Sequence, residues 1–343
     1  MPGAGSRPAE DARVAIPLQL PAGLAPEPGG LTLEASGRAM GVAWTLRAVS
    51  LPGLPPHVLG RVVQQALDQV VQEMSPWIPD TAISAYNRAA AGEWVVLPGA
   101  FAQVMDCGLG LAEASDGAFD PTLGRLTDLW GFGPPGPVDS PPSAGAVAEA
   151  LAASGWRRLA FERQGRRLLQ PGGLRLDLSG IAKGFAVDHA AAALRRVGLR
   201  HFLLEVGGEL RGEGMKADGQ PWWVALERLE GEAPGQAPLV LALCGQSVAT
   251  SGDYRRFLVH EGQRLGHTLD PRTGRPSQSG VACVSVIHQD AMWADAWCTI
   301  LSVLTPEEGL ALAQAEGLAA RLLVSSKRGL EERLTPAFQA LLD

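Results

Sequence analysis

One stretch constrains this chain more than any other: Asp177-Leu178-Ser179-Gly180-Ile181-Ala182-Lys183-Gly184-Phe185-Ala186-Val187-Asp188. An acid ends the apolar, strand-like run Leu174 to Leu176. Small residues and a lysine follow, then the helix-like run Phe185 to Leu194. Small residues let a backbone approach a ligand closely, and free amides at a helix start attract phosphate. Lys183 stands where it can hold a phosphate oxygen. Asp177 can hold a polar group of the same ligand or a metal. The glycine spacing is neither that of a P-loop nor that of a dinucleotide-binding turn. A strand, a small-residue turn and a helix also occur for packing alone, so the segment needs companions before it means chemistry.

The companions are present, in order. Ala118-Phe119-Asp120 lies upstream, after a helix-like run. Glu205-Val206-Gly207-Gly208-Glu209 follows one strand after the opening segment. Ser247-Val248-Ala249-Thr250-Ser251-Gly252-Asp253-Tyr254 comes next, then His267-Thr268-Leu269-Asp270-Pro271-Arg272-Thr273-Gly274-Arg275-Pro276, then Ala294-Asp295-Ala296-Trp297-Cys298-Thr299. From about Met40 to the C-terminus this ordered set resembles the ApbE family, the FAD:protein FMN transferases.

The resemblance implies a single α+β catalytic domain with mainly antiparallel sheet and flanking helices. It implies Mg²⁺-dependent transfer of the FMN moiety of FAD to a Thr or Ser hydroxyl of a partner flavoprotein, with AMP released. Two other outcomes stay open: a Mg²⁺-dependent FAD pyrophosphatase, and a flavin-binding protein without turnover. By the same resemblance Asp295 and Thr299 bind Mg²⁺ with the backbone carbonyl of the Gly180 region. Some relatives carry a second acid where this chain has Cys298, which puts a second cation in doubt. Met40, Trp77, Tyr86 and Asn87 match positions that line the flavin site, and Ala118, Phe119, Asp120, Asp177, Lys183, His267 and Leu269 are expected around FAD. The family's acceptor motif is a short Asp-led segment ending in Ala and Thr or Ser, and this chain shows no convincing copy. The acceptor is therefore expected to be a separate protein.

The residues support these roles on their own terms, each against a plainer reading. Asp295 and Thr299 are four apart on a predicted helix, so they share one face and can offer oxygens to a hard cation. An acid near a helix start also complements the dipole, and a helical Thr often bonds back to its own helix. His267 precedes an Asp-Pro turn. A neutral imidazole there can take a hydroxyl proton, or it can simply hydrogen-bond locally. Trp77 sits in a proline-flanked loop, where a stacked isoalloxazine or adenine is one partner for its ring. Phe119 is an apolar wall or core. Arg272 and Arg275 are phosphate clamps or loop pins. Gly207-Gly208 and Gly252-Asp253 mark turns that shape the pocket in the family.

Composition narrows the partners. The chain has 343 residues, 46% of them hydrophobic, enough for a large core. Its 29 basic and 36 acidic residues give a net charge of −7 with no basic cluster, which argues against nucleic acid. Cys107, Cys244, Cys283 and Cys298 show no metal-ligand spacing and read as small buried side chains. No apolar run is long enough to span a bilayer. The first residues lack a secretory signal pattern, which sets the expectation of a cytoplasmic protein.

Organisation follows from periodicity. Residues 1–30, rich in Pro, Ala and Gly, read as a flexible arm, and 31–343 as the catalytic domain. Helices are predicted over His57–Glu73, Ala100–Ala114, Ala144–Ala152, from near Lys183, over Met292–Leu304 and over Pro306–Ala315. Strands are predicted over Ala39–Val49, Leu159–Phe161, Arg167–Leu169, Leu174–Leu176, His201–Val206 and Val281–Ile287, with Ala319–Val324 as the last. Trp222–Leu226, Leu239–Cys244 and Ser247–Thr250 suggest one antiparallel meander. Grouped strands with irregular helices argue for α+β, not a doubly wound parallel sheet.

Overall fold

The computed structural model describes residues 8–9, 11–18, 30–50, 52–233, 237–254 and 256–342. In chain order its first half runs β1 (Arg13–Ala15), β2 (Thr32–Ala39), β3 (Val42–Val49), α1 (Pro56–Met74), α2 (Ala82–Arg88), β4 (Trp94–Val96), α3 (Gly99–Ala114), α4 (Gly124–Leu129), α5 (Ala144–Ala152), β5 (Phe161–Glu162), β6 (Arg167–Leu169) and α6 (Ala182–Arg196). Then come β7 (Phe202–Val206), β8 (Glu209–Glu213), β9 (Trp222–Ala225), β10 (Leu239–Leu243), β11 (Ser247–Gly252), β12 (Phe257–His260), β13 (Gln263–Gly266), β14 (Leu269–Asp270), β15 (Arg275–Pro276) and β16 (Val281–His288). The chain closes with α7 (Ala291–Val303), α8 (Pro306–Ala315), β17 (Ala319–Ser326), β18 (Gly329–Leu334) and α9 (Pro336–Gln339). The α+β expectation holds.

The frame is an eight-stranded sheet in the order β18-β17-β16-β11-β8-β7-β3-β2. Every neighbouring pair in it is antiparallel. Side chains alternate across a strand. Phe202 and Leu204 of β7 therefore join the core under the helices, while Leu203 joins a second core on the other face. Helices α1, α6 and α7 cover the first face, with Leu59, Val63, Leu67, Val70 and Met74 of α1 turned inward at helical spacing. The three-stranded sheet β1-β10-β9 covers the second face, through Trp222, Val224, Leu239, Leu241 and Leu243. A third apolar cluster, with Leu126, Trp130, Phe132, Val147 and Leu269, sits under α4 and α5.

Three expectations change. Ser247–Gly252 does not continue the meander: β11 lies between β16 and β8 in the large sheet, while β9 and β10 pair in the other. Hydrophobic alternation marks a strand but not its partner. Leu174–Leu176 is not a strand, since only Arg175 bridges to Leu123. Most of the expected arm, residues 1–7, 10 and 19–29, lies outside the described residues, but Arg13–Ala15 inside it is ordered sheet. It pairs in parallel with β10, buries Ala15 and places Arg13 against Glu332.

Met40 and Gly41 make the β2–β3 turn, both with positive φ (53° and 75°). That matches a two-residue hairpin turn whose twist suits the strands. Met40 thus owes its place to turn geometry and packs partly against the core.

Candidate functional site

Helix α7 is apolar and buried on nearly all sides, and it carries Asp295 and Thr299. Its free N-terminal amides are capped from another element. Asp188 of α6 accepts hydrogen bonds from Ala291 N (3.0 Å) and Met292 N (2.9 Å). Such a cap satisfies donors that the helix cannot bond internally. Four residues further on, Gly184 N donates to Asp295 Oδ2 (2.9 Å). The two helices touch so closely here that a Cβ on Gly184 would lie 2.7 Å from Asp295 Cβ. Glycine at 184 is therefore a condition of the contact.

Thr299 Oγ1 lies 3.4 Å from the Gly180 carbonyl oxygen and 3.4 Å from the Asp295 carbonyl oxygen. A Cβ at Gly180 would come within 2.7 Å of Thr299 Oγ1, so a larger residue would push the segment away. The Thr299 hydroxyl thus meets the Gly180 carbonyl of a separate segment and bonds back to its own helix, while the Asp295 carboxylate, one turn earlier on α7, is held by Gly184 N. Among the described residues no three His, Cys, Asp or Glu side chains group as metal ligands. The donors at this corner are instead sparse oxygens, the kind that suits Mg²⁺ with substrate phosphate and water completing its shell. Cys298 supplies no second acid. Burial raises its thiol well above the usual range, and Sγ donates to Ala249 O (3.3 Å).

Sequence reasoning missed Glu209. It is 1% exposed at the start of β8, and its Oε1 pairs with Lys183 Nζ. Burial would lower the Lys183 pKa, but Asp295 and Glu209 outweigh it and push it up. Burial pushes the Glu209 carboxyl up to about 7, with Lys183 opposing. Glu209 opens a ladder. Arg211 pairs with Asp188 (3.1 Å), and Glu213 pairs with Arg195. Alternate residues of β8 thereby meet successive turns of α6. The signal was a charge directly after Gly207-Gly208, the first of three charged residues at alternate positions of β8.

Other expected residues have protein partners of their own. Asp177 accepts from Thr127 Oγ1 (2.6 Å) and Ser179 N (2.8 Å), which shapes the turn into α6. Asn87 brackets Leu176: its Nδ2 donates to Leu176 O (3.2 Å), and its Oδ1 accepts from Leu176 N (2.7 Å). Tyr86 is core, with its hydroxyl donating to Leu169 O (2.9 Å). Asp120 accepts from Thr122 N (2.8 Å) and Trp156 N (3.1 Å), while Ala118, Phe119 and Leu269 are buried. Arg272 pairs with Asp270 (2.9 Å), the loop-pin reading, and Arg275 is exposed.

His267 lies on a rim beside this corner. Its Nδ1 is 3.2 Å from Arg256 O. A carbonyl only accepts, so Nδ1 carries the hydrogen and the neutral ring keeps its lone pair on Nε2. Burial lowers the His267 pKa; the bond to the Arg256 carbonyl opposes it, the Arg256 and Lys183 charges lower it further, and the Asp177 charge opposes them. Phe132 meets the ring edge-on at 6.3 Å between centres. The Arg256 guanidinium lies 5.6 Å from the centre of Phe132 and 5.8 Å from that of Trp77. Trp77 is 53% exposed, yet Thr81 Oγ1 (2.7 Å from Ser75 O) and Ser84 Oγ (2.8 Å from Ile78 O) pin its loop. A polar hollow of about 260 Å³, lined by Asp253, Arg264 and Ser279, reaches Gly266 and Thr268 on either side of His267. A second hollow of about 450 Å³, around Arg125, Asp128 and Glu149, holds none of these site residues.

An antiparallel α+β frame with an all-oxygen corner and an adjoining histidine defines the class. The ApbE family pattern matches residues 40–322, and the chain belongs to that family. It is 32% identical to the FAD:protein FMN transferase of Klebsiella pneumoniae (strain 342) over 319 residues, 92% of this chain and 91% of that protein. It is 33% identical to that of Escherichia coli (strain K12) over 314 residues, 89% and 88% of the two chains. Among solved structures, the flavinyl transferase ApbE of Pseudomonas stutzeri superposes with a TM-score of 0.84 at 37% identity, covering 91% of this chain and 97% of that one. The flavin transferase ApbE of Vibrio cholerae does so with a TM-score of 0.83 at 30% identity, covering 91% and 99%.

Proposed function

We propose that this protein moves the FMN moiety of FAD to a Thr or Ser hydroxyl of a partner flavoprotein and releases AMP, with Mg²⁺ required. It is a flavin transferase, as a member of the ApbE family. The observation that carries the reading is the family match over residues 40–322; Thr299 against the Gly180 carbonyl, and His267 within reach of the Lys183 and Asp177 charges, support it.

In this reading Asp295, Thr299 and the Gly180 carbonyl hold Mg²⁺, which would neutralise charge on the FAD pyrophosphate. His267 Nε2 takes the proton of the acceptor hydroxyl. The acceptor oxygen bonds the FMN-side phosphorus, and the bond from that phosphorus to the bridging oxygen breaks. AMP carries the bridging oxygen away. Phosphoryl-type transfer depends chiefly on positioning and charge. The rigid α6–α7 contact supplies the first, and the low pKa of His267 keeps a neutral base at physiological pH. Trp77 offers an exposed ring to the flavin or adenine face.

The test is incubation with FAD and Mg²⁺, with and without a Thr-containing acceptor peptide. The expected result is covalent flavin on the peptide with AMP in equal amount. AMP and free FMN in both tubes, with unmodified peptide, would assign a pyrophosphatase. FAD bound and unchanged in both would assign a binding protein.

A further inference from the structure

The sequence casts Lys183 as a holder of phosphate. The structure gives its ammonium other work. Nζ pairs with Glu209 Oε1 and lies 3.8 Å from Asp295 Oδ1. Both acids are almost fully buried, at 1% and 2% exposure. Two buried carboxylates this close need a positive charge between them, because an unpaired buried charge is costly. Glu209 Oε2 has no hydrogen-bond partner among the described residues, which leaves Lys183 as the group that compensates it.

The start of α6 also grips Asp295 at both oxygens, with Gly184 N on Oδ2 and Lys183 Nζ near Oδ1. Glu209 in turn holds Lys183 from a strand that is tied to α6 again at Arg211 and Glu213. We propose that Lys183 and Glu209 act as one positioning pair, which sets the Asp295 carboxylate for its cation, and that Lys183 does not carry the FAD pyrophosphate. The cation part rests on the function proposed above. The pairing itself rests on geometry alone.

The test compares Lys183→Met, Glu209→Gln and the double variant in the full chain. Three quantities are read: melting temperature, Mn²⁺ affinity by electron paramagnetic resonance, and FAD affinity in EDTA by flavin fluorescence. Lys183→Met strands the buried Glu209 charge and Glu209→Gln removes the hold on Lys183, so each is expected to lower the melting temperature by about 5 °C and Mn²⁺ affinity by about tenfold. The double variant removes the Glu209 charge together with the ammonium that compensates it, and is expected to recover much of both losses. FAD affinity without metal is expected to stay within about threefold throughout, since no direct charged hydrogen bond is removed.

If Lys183→Met does not fold while the double variant does, the pairing is shown in its strongest form. If neither folds, Lys183→Arg keeps the charge and is expected to restore folding and Mn²⁺ binding; failure there overturns the pair. Additive losses in the double variant overturn it too. So does a tenfold or larger loss of FAD affinity in EDTA for Lys183→Met alone, which would return Lys183 to the pyrophosphate. A wild-type protein that binds Mn²⁺ but transfers no FMN would sink the function reading and leave the pair standing.

Discussion

The proposed cation corner and the histidine rim are built in opposite ways. Asp295 is buried, bonded to Gly184 N, and carried on a helix whose start is capped by Asp188. His267 and Trp77 sit on loops, and Arg256 between Trp77 and Phe132 makes ring contacts, not tight hydrogen bonds, to both. The corner must hold oxygens at fixed spacing before substrate arrives, since preorganised charge needs no rearrangement during reaction. In the proposed function the rim must admit a flavin and a protein hydroxyl and then let the product leave. The difference teaches where error is tolerated: changes in the corner should cost chemistry outright, while at the rim the loss should depend on the residue, large at His267 and small at Trp77.

The sharpest way to break this contrast is to remove the corner's carboxylate. Asp295→Ala should lower transfer by about 10³-fold or more, because a cation stabilises several kcal/mol of developing charge. EDTA on the wild type should do the same, with Mg²⁺ restoring activity. Circular dichroism should still show a folded protein. Full activity in metal-free Asp295→Ala would mean that the corner is only a helix contact.

The next largest effect belongs to the rim's base. His267→Ala should slow transfer by about 10²–10⁴-fold, the usual contribution of a positioned general base. FAD affinity, read by flavin fluorescence, should change only a few-fold. A normal rate in this variant would make His267 a structural turn residue.

The pH profile sharpens the same assignment. Burial, helped by the Arg256 and Lys183 charges and opposed by the bond to the Arg256 carbonyl, holds the His267 pKa below its ordinary 6.5. The ring therefore stays neutral to lower pH than a free imidazole, and the acidic limb of the rate should fall below 6.5. The sign for stability agrees. A proton binds the unfolded ring more readily, so this contribution is present above 6.5 and is lost as pH falls below it. The measurement is rate against pH for the wild type and for His267→Ala. An unchanged acidic limb in the variant would assign that limb to another group.

Local pattern made much of this legible, and long-range pairing made the rest illegible. Helices α1, α5 and α8 lie within a residue of their expected bounds because apolar spacing and caps are local signals. The Asp295–Thr299 face was readable for the same reason. β2 was missed since Thr32–Ala39 is a sheet edge with its alternate residues exposed. β18 was missed because Glu331, Glu332 and Arg333 make an edge strand look like a loop. Arg13 finds Glu332 across 319 residues, and no periodicity in a three-residue strand announces that. Glu209 stood in view within a recognised motif, but its burial depends on which face of β8 meets α6.

The smallest effect should come from Trp77, and it tests the rim most finely. Its ring is half exposed, so Trp77→Ala should leave the melting temperature nearly unchanged. If the ring stacks on flavin or adenine, FAD affinity should fall by about two- to tenfold, the worth of an aromatic pair beyond its area. Trp77→Phe keeps a stacking face and should recover most of that loss. The rate at saturating FAD should hold, because Trp77 touches no reacting atom in this reading. Unchanged FAD affinity with weaker use of the acceptor peptide would instead turn Trp77 toward the partner protein. The rim would then be a docking surface for the acceptor, and the contrast with the buried corner would widen.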